Sequence, residues 1–259
     1  MEFSNINLEK RGGVAKITLN RPKVLNALDV RTLEEMGAAA EDIENDPEVK
    51  VVVITGAGRA FCAGADLGGV AALADKPRDY FLRLWKKVFS AIENLKVPVI
   101  AMINGMALAG GLELVMVCDL AIASEDARIA DQHANYGLVP GGGGSQRLPR
   151  LIGIRKAKEL LYAGDWISAT EAERLGLINK AVPADKLEHA TNELVAKLLS
   201  KSPMALITVK RLVNCGMEGS LDAGLEMEIQ GVMAHSTTED LAEGIRAFME
   251  KRPPVFPGR

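Results

Sequence analysis

Glu113 sits in the run "GLELVMVCD" with Leu112, Leu114, Val115, Met116 and Val117 around it. Burying a carboxylate is costly unless it is paired, or unless its proton affinity rises to keep it neutral. A glutamate on the polar edge of a helix is one reading of this position. The neighbours leave little polar edge, which favours the other: a carboxylate tuned for proton transfer. His133, in "DQHANYGLVPGGGG", is one of three histidines in 259 residues and precedes a run of four glycines. An imidazole donates or accepts a proton near neutral pH. Whether His133 does so or only packs in a pocket wall is open from its surroundings alone.

Two stretches share a design in which an apolar strand runs into a loop of small residues: "VVVITGAGRAFCAGADL" (51–67) and "VPVIAMINGMALAGGLELVMVCD" (97–119). Small residues let a ligand approach the backbone. The second stretch continues into a helix near Gly110, one turn before Glu113. The unpaired N–H groups and positive dipole end of a helix start suit a negative oxygen. One such loop is explained by tight packing; two of them point to a shared oxyanion site.

The elements that would hold these residues are legible as patterns. "VAKITL" (14–19), "VKVVVIT" (49–55), "VPVIAMI" (97–103) and "LAIAS" (120–124) are short, apolar and rich in Val or Ile, which predicts buried strands. Residues 28–45 place Leu33, Met36, Ala40 and Ile43 on one helical face. Residues 78–95 repeat Leu82, Trp85, Phe89 and Ile92, an aromatic core stripe. From about residue 155 the pattern is mostly helical and ends at "RPPVFPGR", where proline cannot continue a helix. The expected organisation is an α/β core over 1–195 and a helical region over 196–259.

Composition narrows the classes. Apolar residues make up 48% and charged ones 25%, as in a globular domain with a real core. The net charge of −3 disfavours a nucleic-acid surface. Cys62, Cys118 and Cys215 form no metal spacing or disulfide framework, and no signal-peptide core or membrane-length apolar run occurs. A cytoplasmic protein is expected. "GGGGSQR" lacks the lysine of a phosphate loop, and Ser145 lacks the glycines of a nucleophile elbow.

"LNRPKVLNAL" (19–28), "AFCAGADL" (60–67), "INGMALAGGLELVMVCD" (103–119), "GLVPGGGGSQRLPRLIG" (137–153) and "GDWISATEAERLGLINKAVP" (164–183) together resemble the enoyl-CoA hydratase/isomerase, or crotonase, family. The resemblance implies a crotonase-type α/β spiral of ββα turns with a helical C-terminal trimerisation region, assembled as a homotrimer or a hexamer made of two trimers. It implies that the N–H groups of Ala65 and Gly110 form the oxyanion hole for the thioester oxygen. Lys23, Val24, Leu25, Ala63, Asp66 and Leu67 match positions lining the adenine and pantetheine of coenzyme A. Phe248 and Lys251 match residues that reach the CoA of a neighbouring subunit. No bound cofactor is implied, since coenzyme A enters as part of the substrate.

The departure from the family pattern is His133. Hydratases of the family use two glutamates around one water. Glu113 matches the first, and His133 stands where the second is expected. The implied reaction is hydration of a 2-enoyl-CoA, with Glu113 as principal acid/base and His133 assisting, both in charged form. Double-bond isomerisation, hydrolysis of a C–C bond or thioester, and a CoA-binding scaffold without activity are the alternatives.

Overall fold

The computed structural model describes residues 3–68 and 78–259. The chain divides into two compact units, one of residues 1–95 and 99–192, the other of residues 96–98 and 193–259.

In the first unit, strands β1 (Ile6–Arg11) and β2 (Val14–Leu19) form an antiparallel hairpin. Its two-residue turn, Gly12–Gly13, has φ of 58° and 82°. Positive φ at both central residues is what a type I′ turn requires, and glycine supplies it without a Cβ clash. β2 alternates, burying Ala15, Ile17 and Leu19, so one face meets the core. β3 (Val51–Gly56) and β5 (Val99–Ile103) are buried at every position, the signature of strands covered on both faces. With β7 (Leu120–Ser124) and β10 (Lys180–Val182) they complete a six-stranded sheet of order β1-β2-β3-β5-β7-β10, parallel from β2 onward.

Helix α1 (Val30–Glu44) is capped by Asp29, whose Oδ1 accepts the Thr32 N–H at 2.7 Å. It buries Leu33, Met36, Ala40 and Ile43 and packs against α2 (Arg78–Glu93). The stripe expected on α2 is corrected at its first position: Leu82 is 44% exposed, and Phe81 takes its place in the core. Phe81, Trp85 and Phe89 form a continuous ring cluster, with centroids 5.4 and 5.1 Å apart.

A second, smaller sheet positions the site. Strands β4 (Ala60–Cys62), β6 (Met106–Leu108) and β8 (Arg128–Ala130) lie side by side and parallel, with β9 (Ile167–Ser168) antiparallel at the edge. Their C-terminal ends open into three neighbouring segments: Ala63–Ala65, Ala109–Gly110 and Asp131–His133. Ligands of α/β folds gather at the carboxyl ends of parallel strands. This unit also contains helices α3 (Gly110–Met116), α4 (Gly144–Ile152), α5 (Ile154–Ala163) and α6 (Ala169–Arg174) before α7 (Leu187–Leu199) begins.

The second unit is helical from α7 onward: α8 (Pro203–Gly216), α9 (Leu221–His235) and α10 (Glu239–Glu250). Buried Asp240 accepts the Ser202 hydroxyl at 2.5 Å and the Gly258 N–H at 2.7 Å, tying the C-terminal tail to the start of α8.

Candidate active site

Ala109, the residue before α3, has φ 50° and ψ −111°, a region that L-residues rarely occupy. Its N–H donates to Ala130 at the end of β8, at 2.9 Å. This turn places the start of α3 at the strand ends. Gly64 packs directly on Gly110, so close that a methyl group on Gly64 would lie 2.9 Å from the Gly110 nitrogen. The loop carrying Ala65 is held from the other side, with Leu28 N–H on Gly64 at 2.7 Å and Asp66 N–H on Leu28 at 3.0 Å. The amides of Ala65 and Gly110 are themselves engaged by no hydrogen bond among the described residues. Two neighbouring backbone donors therefore stand available.

Glu113 lies one turn into α3 and is 2% exposed. Its Oε1 accepts the N–H groups of Gly142 and Gly144, each at 2.8 Å. Oε2 is left as the oxygen that can take a proton. Burial pushes this carboxyl above its ordinary range, and the nearby Asp131 charge adds to the rise. The two glycine amides and the charge of His133 pull the other way without cancelling it. The attraction to His133 expected from the sequence is present, and desolvation opposes it.

His133 lies just past β8. Its Nδ1 is 3.0 Å from both carboxylate oxygens of Asp131, and its backbone N–H donates to Asp131 Oδ1 at 3.2 Å. Asp131 is 1% exposed. Burial alone would pull the imidazole down, but the Asp131 hydrogen bond and charge, followed by the charge of Glu113, raise its proton affinity above the ordinary value. The rise expected from Glu113 therefore comes mainly from Asp131, a residue that motif reading passed over. Its signal was available: a carboxylate two residues before a histidine on the same loop.

Trp85 covers this region. A methyl group on Gly110 would come within 2.5 Å of Trp85 Cζ2, and one on Gly142 would collide with Trp85 Nε1 and approach Glu113 Oε2 to 2.6 Å. The indole edge and the second carboxylate oxygen thus flank the same glycine. Trp85 Nε1 is buried without a hydrogen-bond partner among the described residues. Cys62, also buried, has its thiol pushed up to about 12 by desolvation, so it is an inert filler at this edge. Among the described residues no group of three or more His, Cys, Asp or Glu side chains could hold a metal ion.

The chain is similar to known proteins over nearly its whole length. The family model for enoyl-CoA hydratase/isomerase matches residues 9–259. The chain belongs to the enoyl-CoA hydratase/isomerase family. A short-chain-enoyl-CoA hydratase of Clostridium acetobutylicum is 43% identical over 97% of both chains. A crotonyl-CoA hydratase of Syntrophomonas wolfei is 41% identical over 99% of both. The crystal structure of an enoyl-CoA hydratase from Bacillus anthracis superposes with a TM-score of 0.95 at 40% identity, covering 99% of this chain and all of that one. The α/β fold is thus the crotonase fold of the family.

The remaining positions singled out from the sequence fall in two places. Lys23 and Val24 are exposed in a short 3₁₀ turn, and Leu25, at φ 55°, accepts the Ala63 N–H at 3.0 Å. Asp66 has its carboxylate on Arg21 at 3.0 Å, and Leu67 is 58% exposed. In the second unit, Phe248 is 85% exposed, and Lys251 ends α10 in the left-handed region at φ 53°.

Proposed function

We propose that the protein adds water across the double bond of a 2-enoyl-CoA to give the 3-hydroxyacyl-CoA. The observation that carries this reading is Glu113, a buried carboxylate with Oε1 fixed by two amides and Oε2 free, one turn from two unengaged backbone N–H groups. The thioester oxygen sits between the amides of Ala65 and Gly110, which stabilise it as negative charge builds there. Glu113 takes a proton from water as the water oxygen bonds to C3. The imidazolium of His133 returns a proton to C2, collapsing the enolate. Lys23, Val24, Leu25, Ala63, Asp66 and Leu67 line the nucleotide and pantetheine arm. The names of the relatives from Clostridium acetobutylicum and Syntrophomonas wolfei support a short linear acyl chain.

Assembly into trimers, paired as a hexamer, is part of the same proposal. Within the second unit, α8 exposes Val209 and Val213, with Met217 exposed just past its end, and α9 exposes Leu225, Ile229 and Met233, each at helical spacing. Such faces are ordinarily covered by another subunit. Residues 196–259 would then form the assembly region, with Phe248 and Lys251 reaching a neighbour's CoA. No helix among the described residues is long and apolar enough to cross a membrane. The three free cysteines fit a reducing compartment such as the cytoplasm.

The test is crotonyl-CoA mixed with the purified protein. Hydration removes the conjugated absorbance and yields a hydroxyacyl thioester. A shifted double bond without added water would show isomerisation, and release of free CoA thiol would show hydrolysis; either result overturns the reading.

A further inference from the structure

We propose that Asp131 is a positioning residue for catalysis, holding the His133 ring by Nδ1 so that Nε2 is the nitrogen presented to the acyl group and the imidazolium form is favoured. This rests on the reading of the site as one for proton transfer. The pair is not assigned by the family pattern, in which a glutamate is expected at position 133.

Three observations carry it. Asp131 grips His133 twice, through the ring at 3.0 Å and through the backbone N–H at 3.2 Å, so position and orientation are fixed together. A carboxylate only accepts hydrogen bonds, so Nδ1 must carry a proton in either charge state of the ring. The free nitrogen is then Nε2, and its protonation alone distinguishes neutral imidazole from imidazolium.

The second observation is the spacing of buried charge. A methyl group on Gly144 would lie 3.2 Å from Glu113 Oε1 and 3.4 Å from Asp131 Oδ2, so one glycine separates two carboxylates that are each nearly inaccessible. The charge of Asp131 opposes ionisation of Glu113. An imidazolium on Asp131 relieves that repulsion, which lets Glu113 act as a base while the ring acts as the acid.

The third is the set of surrounding groups. The charges facing the imidazole are Asp131 from the end of β8 and Glu113 from α3, both negative. Arg147 of α4 senses the charge of Glu113, and that guanidinium is already paired with Glu93 of α2. No cation among these competes with the ring for Asp131.

Asp131→Asn tests the assignment in the full-length protein. The amide oxygen can still accept the His133 N–H, but the charge is gone. The ring of His133, followed by 15N NMR and assigned by its loss in His133→Gln, should titrate at least about one pH unit lower in the variant, the low end of what an adjacent opposite charge does. Above both values that leaves about tenfold less imidazolium. The descending alkaline limb of kcat should move down by the same amount, with KM for the enoyl-CoA little changed. A merely structural Asp131 would alter stability and leave limb and titration in place, which overturns the proposal. Should the variant not fold, the unmutated protein decides. A ring that titrates at or below about 6.5, or that carries its neutral-form proton on Nε2, contradicts the proposal. If the titration shifts but crotonyl-CoA is not hydrated, the hydratase reading fails and the Asp131–His133 pairing stands.

Discussion

Arg147 and Glu93 form a two-pronged ion pair, with Nε on Oε1 at 2.8 Å and Nη2 on Oε2 at 2.5 Å, and Nη1 of the same guanidinium donates to the Gly142 carbonyl at 3.0 Å. Gly142 in turn donates its N–H to Glu113. A chain of contacts thus runs from α2 through α4 and the glycine loop to the proposed base. Lysine cannot reproduce the planar fork. Arg147→Lys should therefore loosen the loop and lower kcat by about tenfold, as misplacement of a reacting group does. Steady-state kinetics on crotonyl-CoA checks this; an unchanged kcat would show that the loop holds without the fork.

Gly142 has no room for a side chain, because its Cβ would meet both Trp85 Nε1 and Glu113 Oε2. Gly142→Ala must push the indole or the carboxylate aside. Turnover should drop by about 10²-fold, the low end for losing a general acid–base group, while far-UV circular dichroism stays near that of the parent. Full turnover in the alanine variant would mean that the carboxylate tolerates displacement and is not held for chemistry.

Asp131 changes what is expected when the usual glutamate is restored at position 133. His133→Glu alone would set a third acidic group against Asp131 and Glu113, and its activity should stay low. His133→Glu with Asp131→Asn removes the repulsion, and the double variant should exceed the single one by about tenfold, equivalent to one pH unit of proton affinity. Equal rates would indicate that Asp131 does not sense the charge at 133.

Glu35 links stability to pH outside the site. Burial alone would raise its carboxyl, but the N–H groups of Asn5 and Ser4, the Ser4 hydroxyl and Arg31 hold it down to about 2. Since the folded value lies below the unfolded one, its contribution is present above the ordinary carboxylate range near 4.5 and is lost as pH falls toward 2. Glu35→Gln should cost about 1–3 kcal/mol at pH 7, as for a hydrogen bond to a charged group, and the difference should shrink steadily below pH 4.5. Urea melts across that range measure it. A pH-independent difference would assign the effect to packing.

Four strands of the large sheet, β2, β3, β5 and β7, were legible as short apolar runs, whereas the edge strands β1, whose residues are mostly polar, and β10, of three residues, were not. The strand expected over 97–103 begins only at Val99, because Val97 and Pro98 belong to the turn before it and proline has no N–H to give a ladder. The second sheet was not legible. β4, β6 and β8 have three residues each, too few for an alternation to show, and pairing with one another defines them. Glu113 could be found because a charge within an apolar helix is conspicuous. Asp131 carried a weaker signal, a carboxylate two residues before a histidine, which gains its meaning only once the His133 ring is seen on it.

The central claim is that Glu113 moves the proton. Glu113→Gln preserves the shape, and its amide oxygen can still accept the Gly142 and Gly144 N–H groups, while the basicity is lost. The decisive measurement is the rate of crotonyl-CoA hydration by this variant and by the parent, across the pH range in which the parent is active. In the parent, burial places the carboxyl above its ordinary value, so activity should rise with pH through that raised value as the base form appears. In the variant, kcat should be lower by at least about 10²-fold and that rising limb should be absent, with affinity for a saturated acyl-CoA unchanged. A variant that hydrates crotonyl-CoA at the parental rate, with the rising limb intact, would contradict the account.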